Sequence, residues 1–180
     1  ERQFHLYLAS HSRDAVFVHA EVLEFAGKAW VIPGKSYSGK STLVEALVRK
    51  QAGFYSDEYA VFDHSGLVHP FPRPMTLRQA DGGRNISATE LGWSPPSRAL
   101  PLGGVLVFPF DPKAVWSPRV MSPSYALMQL LANSVAVRLA PESTLRTLSL
   151  AIEETSNWVG PRPDAEEVAG HILDFLSAAT

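Results

Sequence analysis

The 180-residue sequence contains no cysteine, which excludes disulfide staples and thiolate metal sites and fits a reducing compartment such as the cytoplasm. It also has no apolar run near the roughly 20 residues that a membrane-spanning helix needs, so no membrane partner is expected; the stretch from Val105 to Phe110 is among the longest. Nor is there a block of lysine and arginine, and the formal net charge of -2 supplies no general attraction for nucleic acid. The chain begins at Glu1 with neither a methionine nor a charged-then-apolar leader, which leaves targeting open. What is present is ordinary for a globular protein: 46% hydrophobic and 19% charged residues, in a length that suits a single domain over 1–180. There is no internal repeat and no low-complexity tract.

The first third of the chain is rich in short β-type runs. Phe4–Leu8, Ala15–Val18, Glu21–Phe25 and Lys28–Ile32 read as strands separated by polar or glycine turns, with Phe25-Ala26-Gly27-Lys28 as a hairpin turn. Ala29-Trp30-Val31-Ile32 is continuously apolar, as a strand covered on both faces would be. Leu43, Val44, Leu47 and Val48 then recur at helical spacing, which predicts a helix from about Lys40 to Gln51 with Gly53 as its stop. Phe54-Tyr55, Tyr59–Phe62 and Leu67–His69 predict a strand, a bend at Asp57-Glu58 and a hairpin.

Prolines and glycines crowd the region 70–103, which reads as a long loop or lid. Beyond it Gly104–Phe108 predicts a buried strand, Ser122-Pro123 the capped start of a helix, Pro141-Glu142 a helix to about Glu154, and Asp164 the cap of a last helix. The fold class is therefore mixed α/β, with a β-rich N-terminal half, a glycine loop between strand and helix, and a helical C-terminal part. Exposed strand edges in the β-rich half leave a homo-oligomer open.

That glycine loop carries the most chemistry. Gly34-Lys35-Ser36-Tyr37-Ser38-Gly39-Lys40-Ser41 satisfies G-x-x-x-x-G-K-[ST], directly after a buried strand and at the start of a helix, with Thr42 following. Glycines at 34 and 39 let successive backbone N–H groups turn toward a phosphate, and the helix N-terminus adds a favourable dipole. Lys40 is placed to neutralise the β and γ phosphates of a nucleoside triphosphate such as ATP, and Ser41 to present a hydroxyl to Mg²⁺.

Two further positions narrow the reading: His19, fifteen residues before Gly34, and Asp57, seventeen after Lys40. With His19-Ala20-Glu21-Val22-Leu23, Gly27, the loop, and Ser56-Asp57-Glu58, the segment from Val16 to Phe62 resembles the catalytic domain of bacterial HPr kinase/phosphorylase. The resemblance implies a fold related to phosphoenolpyruvate carboxykinase and transfer of the γ-phosphoryl of ATP to a serine hydroxyl of a peptide or protein. It implies Asp57 as the general base, His19 beside the phosphate and the carboxylate, and Glu58 in support of the metal or of Lys40. Phosphoryl transfer asks for such parts: charge neutralisation, an in-line acceptor and a base within reach.

The pattern also departs from the family. Asp57 is followed by Glu58 where the family has a second aspartate, and no V-x-x-R-G-x-G type segment follows downstream, so HPr itself is not the implied acceptor. Arg73, Arg78 and Arg84 in the long loop are available to a transferred phosphoryl. Trp93, Trp116, Trp158, Phe71 and Phe110 are either groove or core residues. Two other readings stand beside the kinase: a nucleotide-binding regulatory or assembly module without efficient transfer, and, ranked lower, a simple NTP-hydrolysing or carboxykinase-like enzyme.

Overall fold

The computed structural model describes residues 7, 12, 14–34, 38–71, 75–79, 82–86, 90 and 98–179, with backbone alone for 75–79 and 82–86. Strands β1 (Ala15–Phe25) and β2 (Lys28–Pro33) form a hairpin, and helix α1 (Lys40–Arg49) follows the glycine loop. Next come β3 (Gly53–Ser56), β4 (Tyr59–Asp63), β5 (Val68–His69), β6 (Met75–Gln79), β7 (Gly82–Ile86), β8 (Leu102–Val107) and β9 (Arg119–Val120). The chain closes with α2 (Pro123–Ala132), α3 (Pro141–Ala151), β10 (Trp158–Val159) and α4 (Ala165–Ala178).

The main sheet is mixed and eight-stranded, in the order β5-β4-β1-β2-β8-β10-β9, with β3 also paired to β1. Alternation along the strands gives it two buried faces. Val16, Val18, Ala20 and Val22 of β1 and Ala29 and Val31 of β2 pack with Ala126 and Leu130 of α2 and Leu148 of α3. On the other face Leu23, Trp30 and Ile32 meet Leu43, Val44 and Leu47 of α1 and Val168, Ile172 and Leu176 of α4. The continuously apolar β2 is thus covered on both sides, as its sequence requires. No described helix is long and apolar enough to cross a membrane.

The β1–β2 connection is a two-residue hairpin with Phe25 paired to Lys28, and φ is 53° at Ala26 and 74° at Gly27. Both central residues are left-handed, the turn that matches the natural strand twist. The caps fall where the sequence puts them: Ser122 Oγ accepts from Tyr125 N at 3.2 Å, and Asp164 Oδ1 from Glu166 N at 2.9 Å.

Several elements differ from the sequence reading. Ala15–Val18 and Glu21–Phe25 are one strand, because His19 and Ala20 keep the in-out alternation going. The stop of α1 is Gln51, at φ 77°, while Gly53 opens β3. Gln51 N donates to Val48 O at 3.0 Å and Ala52 N to Leu47 O at 3.1 Å, the paired bonds of a Schellman ending. Helix α3 ends at Ala151 instead of Glu154.

Region 70–103 is not simply loop, since it contains the antiparallel pair β6–β7, with Met75 opposite Ile86 and Gln79 opposite Gly82. Met75-Thr76-Leu77 carries a period-two pattern that the surrounding prolines obscure. The helical C-terminal part is interrupted by β10, parallel to β8 through Trp158 and Leu106. The Phe4–Leu8 strand lies outside the described residues except for Tyr7, which is helical.

Candidate functional site

Strand β1 organises the site because the two chemistry-bearing segments flank it. On one side β2 runs into the glycine loop, and Gly34 N donates to His19 O at 3.4 Å. On the other, β4 pairs with β1 from Ala15↔Asp63 to His19↔Tyr59, and the Val22↔Ser56 pair keeps the same alignment. Ala20 N donates to Glu58 O at 3.2 Å, so Asp57 falls opposite Glu21 in that alignment. His19, Gly34, Asp57 and Glu58 therefore gather around residues 19–22.

Gly39 precedes α1 with φ 80°, and a Cβ there would meet Arg162 Nη2 at 3.0 Å. Glycine is required both by the left-handed conformation and by that approach. Lys40 is the first residue of α1, half-buried, with Nζ donating to Ser38 Oγ at 3.4 Å. Burial lowers its pKa, while the charges of Glu21 and Asp57 act to raise it. Ser41 follows, and Thr42 is exposed in the same turn. Lys35, Ser36 and Tyr37 lie outside the described residues.

The residue that meets Ser41 is one the sequence reading passed over as a strand residue. Ser41 Oγ donates to Glu21 Oε1 at 2.7 Å, and Glu21 is 3% exposed. Its second oxygen, Oε2, is buried without a hydrogen-bond partner. Burial, and next the charge of Asp57, push the carboxyl up from its ordinary 4.5 to about 8, against the Ser41 hydrogen bond and the charge of Lys40. The signal in the sequence is a glutamate flanked by Ala20 and Val22, two residues after His19.

Asp57 and Glu58 form the link between β3 and β4, and Glu58 has φ 76°. A non-glycine residue in that region carries local strain of about 1–3 kcal/mol, held in place by the surrounding turn. Ser56 Oγ donates to Tyr59 O across the link. The His19 ring lies against Tyr59 with centroids 4.7 Å apart, and Tyr59 packs edge-on to Phe17 and Phe71. Phe71 thus belongs to a packed aromatic cluster, as Trp116 does with Phe108 and Trp158 with Phe175. Trp93 lies outside the described residues.

A second residue missed in the sequence is Arg162, only 2% exposed. Its Nη2 donates to Gly39 O at 2.8 Å, its Nη1 to Pro163 O at 3.0 Å, and its guanidinium lies 5.5 Å from the Phe110 ring centre. Gly-Pro-Arg-Pro offers no local cue for this. Of the arginines singled out in the sequence, Arg73 and the side chains of Arg78 and Arg84 lie outside the described residues.

Among the described residues no three or more histidine, aspartate or glutamate side chains form a ready metal cage. The Ser41 hydroxyl and the Glu21 carboxyl nevertheless fit Mg²⁺, which takes one or two carboxylates and fills its remaining positions with water and phosphate oxygen. Compared with known proteins, the chain matches no family model and no curated protein sequence.

Proposed function

We propose that this protein is an ATP- and Mg²⁺-dependent kinase that phosphorylates a serine hydroxyl of a peptide or protein, on a fold of the HPr kinase and phosphoenolpyruvate carboxykinase type. The observation that carries the reading is the strand–glycine loop–helix unit, with Lys40 and Ser41 opening α1 and Asp57 facing Glu21 beside it. Backbone N–H groups at the start of α1 and the Lys40 ammonium suit a polyphosphate.

In this reading the acceptor serine oxygen attacks the γ-phosphorus, the bond from that phosphorus to the bridging oxygen breaks, and ADP departs. Asp57 takes the serine proton as the new O–P bond forms. His19 lies beside the phosphates, and Ser41, with Glu58 as the resemblance implies, holds Mg²⁺, which neutralises phosphate charge when bound.

Calorimetric titration with ATP and Mg²⁺, beside Lys40→Ala, tests the phosphate site: binding that disappears with Lys40 is the expected result. Serine peptides are then offered to the wild type and to Asp57→Asn. Loss of transfer with retained nucleotide binding supports the kinase; binding without acceptor-dependent turnover in either form would leave a regulatory or assembly module. No ATP binding to the wild type removes both readings.

A further inference from the structure

We propose that Glu21 is a ligand of the divalent cation, forming with Ser41 Oγ, beside the Asp57 carboxylate, an oxygen site that takes Mg²⁺ or Mn²⁺ before any nucleotide arrives. The cation's role in catalysis rests on the phosphate-loop reading, but the site itself rests on the geometry around Glu21.

Three observations support it. First, Glu21 is a carboxylate in the middle of the central strand β1, at 3% exposure, which is costly unless the group is fully paired. One of its oxygens is paired, by Ser41 Oγ at 2.7 Å, and the other is buried with no hydrogen-bond partner. Buried polar atoms without partners are uncommon in folded proteins and call for a cause.

Second, the strand alignment through Val22↔Ser56 and the Ala20–Glu58 hydrogen bond sets Asp57 opposite Glu21. Two carboxylates facing each other across a strand pair repel, and Lys40, whose charge acts on both, offsets that repulsion without reaching Glu21 Oε2. Third, the Ser41 hydroxyl donates its hydrogen bond to Glu21, so its lone pairs are turned away from that bond and remain available to a cation. Lys40, next to Ser41, adds positive charge nearby but does not hydrogen-bond the unpartnered oxygen. A hard divalent ion satisfies Glu21 and Ser41 with the oxygen ligands it prefers, offsets the Asp57 charge, and still has positions left for water or phosphate.

The test is a titration with Mn²⁺ alone, following free ion by electron paramagnetic resonance, on wild type, Glu21→Gln and Ser41→Ala. Urea unfolding of each, with and without Mn²⁺, checks folding independently. The wild type is expected to bind one Mn²⁺ and to be stabilised by it. Glu21→Gln keeps the shape and the Ser41 contact, folds, binds Mn²⁺ at least ten-fold more weakly and gains no stability from it; Ser41→Ala weakens binding too.

Equal Mn²⁺ affinity in wild type and Glu21→Gln, or no Mn²⁺ bound by the wild type without nucleotide, would overturn the proposal. A parallel ATP titration separates the two readings. Glu21-dependent Mn²⁺ binding without ATP binding keeps the cation site and removes the kinase; ATP binding without Glu21-dependent Mn²⁺ binding does the reverse.

Discussion

Glu21 lies on the face of β1 opposite Val16, Val18, Ala20 and Val22, buried beside Ser41, and that burial governs how its proton is held. Its folded pKa of about 8 stands above the ordinary 4.5, so its favourable contribution is complete below about pH 4.5 and is lost as pH rises toward 8. With divalent ions and nucleotide absent, Glu21→Gln should therefore gain on the wild type progressively between pH 5 and pH 8, by up to a few kcal/mol at about 1.4 kcal/mol per pKa unit. Urea unfolding at four pH values across that window measures it, and parallel pH profiles would contradict the assignment. Glu21 was hard to read because a strand glutamate is usually solvent-facing; only the tertiary pairing with Ser41, twenty residues away, shows otherwise. The glycine loop, in contrast, was legible because its spacing and its flanking strand and helix are all local.

Backbone demands not visible in composition set the ends of two elements. Gln51 ends α1 in the left-handed region, where a side chain costs roughly 1 kcal/mol relative to glycine. Gln51→Gly should raise the unfolding free energy by about that amount without altering the helix content seen by circular dichroism; a loss of stability would show that the Gln51 side chain contributes more than its backbone costs. In β8, a Cβ on Gly104 would lie 1.8 Å from Ser156 O. Gly104→Ala should destabilise by roughly 3 kcal/mol or more, because the obstacle is a backbone carbonyl and not a side chain that can rotate. The midpoint of urea unfolding reports this directly, and an unchanged midpoint would mean that β10 can move away from β8. Caps at Ser122 and Asp164 were readable because N-cap chemistry acts within three residues. The β6–β7 pair and the short strands β9 and β10 were not, since two to five residues amid prolines carry too few alternations and are fixed by partners far along the chain.

At the scale of the molecule, β2, β8 and β10 run parallel, so the segments leaving their carboxyl ends gather at one edge of the sheet. There the 160–162 segment brings Arg162 to Gly39 and stands beside Phe110. Arg162→Ala should weaken ATP binding by about ten-fold or more, in line with a lost charge-assisted hydrogen bond, with the lysine variant intermediate. Calorimetry, with unfolding of each variant as control, is the measurement; unchanged affinity would mean that Gly39 is held adequately by α1 itself.

The Arg162–Gly39 bond spans 123 residues of sequence, and this has a meaning for the growing polypeptide. Gly34 through Ser41 are made first, and the guanidinium that holds Gly39 O follows 123 residues behind Gly39. A nascent chain that stops before β10 carries every residue of the loop but lacks this tether. On the proposed function, phosphate affinity waits for Arg162, and a product truncated before it would carry the motif in its sequence without the grip.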